Sequence, residues 1–126
     1  MPAIRYLVDD VEASVRFYCG FLNFELKESF GPAFAVIERG EMELWLSGPG
    51  SSARKTLADG TTPKPGGFCR FVIPVVHIHD YCERMRIVGA LRNPPVKGPG
   101  GIQALVVDPS GNLIELFEMV KEETSA

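Results

Sequence analysis

Val106 to Glu118, VVDPSGNLIELFE, is the stretch whose reading decides the fold. An apolar run enters a turn of Asp108, Pro109, Ser110, Gly111 and Asn112, and a second run leaves it with alternating character. Pro109 presets φ and Gly111 permits φ > 0, so the turn has a mechanism, and the whole reads as a β-hairpin. In the returning strand Leu113, Glu115 and Phe117 point to one face and Ile114, Leu116 and Glu118 to the other. A carboxylate between apolar neighbours is either solvated at a strand end or set in a concave site.

The same pattern occurs earlier. Ile37 to Leu46, IERGEMELWL, is also a hairpin that ends in Glu-Leu-aromatic, so Glu43 corresponds to Glu115, Leu44 to Leu116 and Trp45 to Phe117. Around it, Ala3 to Val8 reads as a strand, Asp10 as the N-cap of a helix over about Val11 to Phe21, and Phe24 to Glu28, Phe34 to Glu38 and Met42 to Ser47 as three strands. The expected buried stripe of that helix is Val11, Ser14, Val15, Tyr18, Phe21 and Leu22. After residue 67 the order returns: a strand Phe68 to Pro74, a helix from about His77 to Val88 closed at Gly89, a short edge strand within Leu91 to Lys97 around Pro94 and Pro95, and Ile102 to Val107 paired with Leu113 to Glu118. The fold class is therefore α+β, two βαβββ modules whose sheets form a curved mixed sheet around a cleft, with the duplicated carboxylates facing across it. The expected organisation is one domain over 1–126: module 1 over about 1–47, a Gly/Pro/Ser/Thr-rich loop over 48–67, module 2 over about 68–120 and a tail over 121–126. The loop reads as a linker or a mobile segment at the mouth of the site.

Composition bounds the function. The chain has 126 residues, 45% hydrophobic and 23% charged, which is ordinary globular usage for one core. A net charge of -3 with thirteen scattered Lys and Arg argues against nucleic acid. Three cysteines, Cys19, Cys69 and Cys82, lack CxxC spacing and suggest neither a disulfide framework nor a thiolate zinc site. Buried packing is the expectation for all three, in a reduced, cytoplasmic protein. No leader pattern and no long apolar run points to a membrane.

The parity of the strands places aromatic residues beside charge. Trp45 shares a face with Glu43, Phe117 with Glu115, and Phe68 with Arg70, and an aromatic cleft with a few convergent charges suits a planar or drug-sized ligand. The candidate ligand-binding residues are therefore Glu43, Trp45, Phe68, Arg70, Glu115 and Phe117, with Phe30 and Phe34 divided between core and cleft. Glu12, Glu25, Lys27 and Glu28 read as solvated surface. His77 and His79 would share a face on a strand, a spacing metals use, but at the start of a helix they point to different sides.

The βαβββ order occurring twice, VDDVEASVRFYCGFLNFEL over Val8 to Leu26, and DPSGNLIELFE over Asp108 to Glu118 together resemble the vicinal oxygen chelate superfamily: glyoxalase I, bleomycin resistance proteins and extradiol dioxygenases. In metal-dependent members the resemblance implies one ligand on the first strand of each module and one Glu or Gln on the last. Carried over, the last-strand positions fall on Glu43 and Glu115, and the first-strand positions on Ala3 and Arg70. Ala3 has no lone pair, and Arg70 is a permanent cation suited to an ion pair with Glu115 or Glu43 where a metal would lie. The resemblance therefore implies no metal and no other cofactor, with Glu43 and Glu115 as residual family positions. It also implies a homodimer, since modules from different chains build each cleft in such proteins. Two functions follow. One is a bleomycin-resistance-like protein that sequesters a small aromatic or cationic molecule, with antibiotic resistance as its setting. The other is a lyase, isomerase or dioxygenase that uses a metal or, with Glu115 as the catalytic base, none. Glyoxalase I activity is not expected.

Overall fold

The computed structural model describes residues 3–120; the expected tail over 121–126 lies outside the described residues. The chain order is β1 (Ala3–Leu7), α1 (Val11–Phe21), β2 (Glu25–Ser29), β3 (Phe34–Arg39), β4 (Met42–Ser47), a 3-10 turn (Ser52–Arg54), β5 (Arg70–Pro74), α2 (Ile78–Ile87), β6 (Leu91–Lys97), β7 (Gly101–Val107) and β8 (Leu113–Met119). Strands combine into two four-stranded mixed sheets, β1-β4-β3-β2 and β5-β8-β7-β6. This is the α+β class and the doubled βαβββ order.

The chain divides into two compact units. The first runs to Gly67 and includes the turn Asp108–Asn112; the second holds Phe68–Val107 and the chain from Leu113 onward.

In the first unit Asp10 caps α1, its Oδ1 accepting from the Ala13 amide at 3.0 Å. The helix stops where Asn23 takes φ of 60°, a left-handed conformation that asparagine tolerates better than most residues. Its buried stripe is Val11, Ser14, Phe17 and Tyr18. Phe17 thus joins the stripe and Val15 is only half-buried, a rotation of the expected face by part of a turn. Against it lie Ala35, Ile37, Leu44 and Leu46, one alternate set of β3 and β4. Full burial of Leu44 and Leu46 contributes roughly 1.5–3 kcal/mol each relative to exposure. The other alternate set, Glu43, Trp45 and Ser47, lies on the helix-free face.

The loop after β4 is held to this unit by Arg54. Its Nη1 donates to the Val8 carbonyl at 2.7 Å, its Nε to the Pro63 carbonyl at 3.3 Å, and its Nη2 pairs with Asp9 at 3.4 Å. The turn Asp108–Asn112 is held as firmly. Asp108 Oδ1 accepts from the amides of Ser110 and Asn112, and Oδ2 accepts from Asn112 Nδ2 and the Tyr18 hydroxyl, all at 2.9 Å. Asn112 Nδ2 also donates to the Leu7 carbonyl at 2.8 Å.

In the second unit β5 alternates cleanly, Phe71 and Ile73 buried and Arg70, Val72 and Pro74 exposed. It begins at Arg70 rather than Phe68, because Gly66 and Gly67 take φ of 108° and 102° and the chain has not yet become a strand. Helix α2 ends as expected at Gly89, φ 76°, with the Ala90 amide donating to the Met85 carbonyl at 2.8 Å. Strand β6 is an edge strand but runs seven residues, not a short one; its ladder is interrupted on both sides of Asn93, which lets Pro94 and Pro95 stay within it. The β7–β8 register pairs Val107 with Leu113 and Ile102 with Glu118, as the sequence predicts. No helix among the described residues is long and apolar enough to cross a membrane.

Candidate functional site

The helix-free face of the first sheet is assembled by register. Ala3, Glu43, Glu38 and Glu25 form one cross-strand row, and Arg5, Trp45 and Val36 the next. Glu43 is held from two sides: Lys27 Nζ donates to Oε2 at 2.6 Å and the Trp45 indole Nε1 to Oε1 at 3.0 Å. Lys27, first, and then the indole hold the Glu43 carboxyl below the usual carboxylate range, and Glu43 pushes the Lys27 ammonium up. Lys27 is therefore part of this site and not simple solvated surface. It reaches Glu43 because β2 carries a bulge: Leu26 pairs with Ile37 and Glu28 with Val36, leaving Lys27 as the extra residue.

Beside this pair stands an aromatic row. Phe34 meets Trp45 edge-on at 5.9 Å, and Phe30 lies 5.7 Å from Phe34. Phe34 and Phe30 are thus partners of Trp45 on this face, half-buried and exposed respectively, and not core. Arg5, which the sequence reading passed over, places its guanidinium 5.1 Å from the Trp45 ring and 5.7 Å from Phe34. Its alternation with Ile4 was the available signal; its aromatic neighbours come from other strands.

The second sheet repeats the theme with different residues. Arg70 Nε donates to Glu115 Oε1 at 3.0 Å, and Glu115 is only 9% exposed. This is the ion pair expected for Arg70, made with Glu115. Phe68 is 77% exposed, and Arg92 stacks on it at 5.8 Å. Phe117 is half-buried, in register with Gln103, and shares the helix-free face with Glu115.

In the ladders Ala3 pairs with Glu43, Arg70 with Leu113 and Val72 with Glu115. The helix caps Asp10 and His77 follow Ala3 and Arg70 by seven residues each, so these two hold equivalent places on the first strands of the two modules. Neither the Ala3 methyl nor the Arg70 guanidinium offers a lone pair beside the carboxylates. Glu43 is bound to Lys27 and Glu115 to Arg70, and the described residues hold no group of three or more His, Cys, Asp or Glu placed to bind a metal. His77 and His79 are exposed at the head of α2, outside the strands of either sheet. Cys82 is buried and Cys19 half-buried, and burial pushes both thiols up; Cys69 is exposed, against the expectation of packing, because it precedes β5 in irregular chain.

A concavity of about 370 Å³ lies at the head of α1, between Asp9, Asp10, Glu12, Pro32, Ala33 and Pro49, and none of the predicted site residues lines it.

The model of the Glyoxalase/Bleomycin resistance protein/Dioxygenase superfamily matches residues 1–116. The chain belongs to that superfamily. Solved structures with the same fold include a lactoylglutathione lyase from Agrobacterium tumefaciens, 19% identical with a TM-score of 0.71 over 94% of this chain and 92% of that one. A virulence protein from Salmonella typhimurium is 21% identical with a TM-score of 0.73, covering 95% and 96%. The fosfomycin resistance protein FosX from Listeria monocytogenes is 17% identical with a TM-score of 0.72, covering 97% and 94%. At these identities the likeness is one of fold. No curated protein matches significantly. Superfamily membership bears out the resemblance read from the doubled βαβββ order and the segments Val8 to Leu26 and Asp108 to Glu118.

Proposed function

We propose that this superfamily member binds and sequesters a small planar aromatic molecule without a metal. The observation that carries the reading is the state of the two family carboxylates, each held by a basic side chain of its own module, Lys27 at 2.6 Å and Arg70 at 3.0 Å. A carboxylate so engaged has its charge compensated, which weakens its attraction for a cation. Of the two ligand classes that the sequence leaves open, aromatic and cationic, this favours the aromatic one. Phe30, Phe34 and Trp45 supply a stacking surface on the first module, and Phe68 and Phe117 add aromatic area on the second. The same reading takes the chain as one domain of two modules, acting as a cytoplasmic homodimer, and sets it beside resistance proteins such as FosX rather than beside the lyase.

Calorimetry with 2-naphthamide, a neutral planar probe, tests it. Trp45→Ala should weaken binding by about tenfold, the loss of one stacking anchor, at unchanged Tm. Unchanged affinity contradicts the aromatic site. Turnover of a bound compound that disappears in Glu115→Gln would favour the enzymatic alternative, in which the buried Glu115 acts as base.

A further inference from the structure

Among the described residues two cations of the first sheet form no ion pair, Arg39, whose Nε donates to the Leu22 carbonyl at 3.0 Å, and Arg5. Its register partner is Trp45, so the two side chains share the helix-free face. The guanidinium sits in the corner made by Trp45 and Phe34, whose rings meet at 82°. Nη1 donates to Ser47 Oγ at 3.0 Å, and Ser47 is fully buried, so one edge of the fork is anchored to a fixed point. Among the described residues Arg5 forms no ion pair, in contrast to Lys27, Arg54, Arg70 and Arg86. Among the described residues one of its five N–H groups is used, and the guanidinium carbon lies over both rings, so the side chain is held from two sides. Such a fork is preorganised for a planar oxyanion, because little rotamer freedom remains to be lost on binding. Glu43 would repel an anion here if it were bare, but Lys27 neutralises it. Phe30, 57% exposed and 5.7 Å from Phe34, continues the aromatic row beyond the guanidinium.

We propose that this face recognises an aromatic carboxylate, its carboxylate on the free edge of Arg5 and its ring along Phe34 and Phe30. The proposal rests on the binding reading above and names the ligand class as anionic. Ser47 acts as a positioning residue that holds the fork.

Calorimetry with 2-naphthoate and 2-naphthamide, equal in ring and differing in charge, tests it on the whole chain. The naphthoate should bind tighter by about tenfold or more, as expected for a charge-assisted pair of hydrogen bonds. In Arg5→Gln that advantage should fall to about twofold, and in Arg5→Lys, which keeps the charge and loses the fork, most of it should go as well. Equal affinity of the wild type for the two probes overturns the proposal and leaves the binding reading standing. A naphthoate advantage that survives both substitutions overturns the assignment to Arg5, and binding of neither probe overturns both readings. The wild-type comparison holds whether or not either variant folds.

Discussion

The Tyr18 hydroxyl donates to Asp108 Oδ2 at 2.9 Å across ninety positions of sequence, and both groups are buried. This contact joins helix α1 to the turn that makes the second hairpin legible. Removing the hydroxyl in Tyr18→Phe takes one of four donors from a buried carboxylate, at a cost of about 1–2 kcal/mol. Burial, and then the Asp108 charge, push the Tyr18 phenol well above its ordinary value of 10.0. A raised folded-state pKa gives stability that is full below the ordinary value and lost as pH rises beyond it, since only the unfolded phenol then ionises. Urea unfolding at pH of about 8 and about 11 should show the wild type losing more stability than Tyr18→Phe over that interval. Equal losses contradict the buried pairing.

Glu43 titrates beside the chain's single tryptophan. Because Lys27 and the indole both hold the carboxylate in its ionised form, the pairing is intact above 4.5, the ordinary value, and is lost as pH falls through a lower one. Trp45 fluorescence in acid should therefore change with a midpoint below 4.5. In Lys27→Met the midpoint should rise towards the ordinary value. A midpoint unmoved by that substitution removes Lys27 from the site.

Helix α2 has no cap of its own: His77 at its head is left-handed, φ 58°, and its side chain accepts no bond from the helix amides. Glu118 supplies the acceptor instead, taking the Ile78 amide at 2.7 Å from the neighbouring β8. Glu118→Ala should cost about 1 kcal/mol, the usual worth of an N-cap. Glu118→Gln, which keeps an acceptor oxygen, should cost less than half of that. Urea unfolding compares the three, and equal losses for the two variants contradict a capping role.

Periodicity made most of the architecture readable. The stripe of α1, the alternation of Phe71 and Ile73, and the two Glu-Leu-aromatic hairpins are local patterns, so the doubled βαβββ order follows from them. What escaped depends on which strand lies beside which. Lys27 reaches Glu43 only through a bulge, and nothing in ELKES marks one. Arg5 meets Trp45 and Phe34, roughly forty and thirty residues away in sequence, because β1 and β3 flank β4. Cys69 and Phe68 were assigned to a strand that starts after them, where glycine conformations delay the first ladder bond.

The central claim is that Glu43 and Glu115 are engaged by Lys27 and Arg70 and so bind no divalent metal. Elemental analysis of the protein, as purified and again after incubation with Mn²⁺, Ni²⁺, Zn²⁺ or Fe²⁺ and desalting, tests it most directly. The expected content is below about a tenth of an equivalent per chain, because two paired carboxylates without imidazole ligands hold such ions too weakly to survive desalting. A content near one equivalent per chain would contradict it.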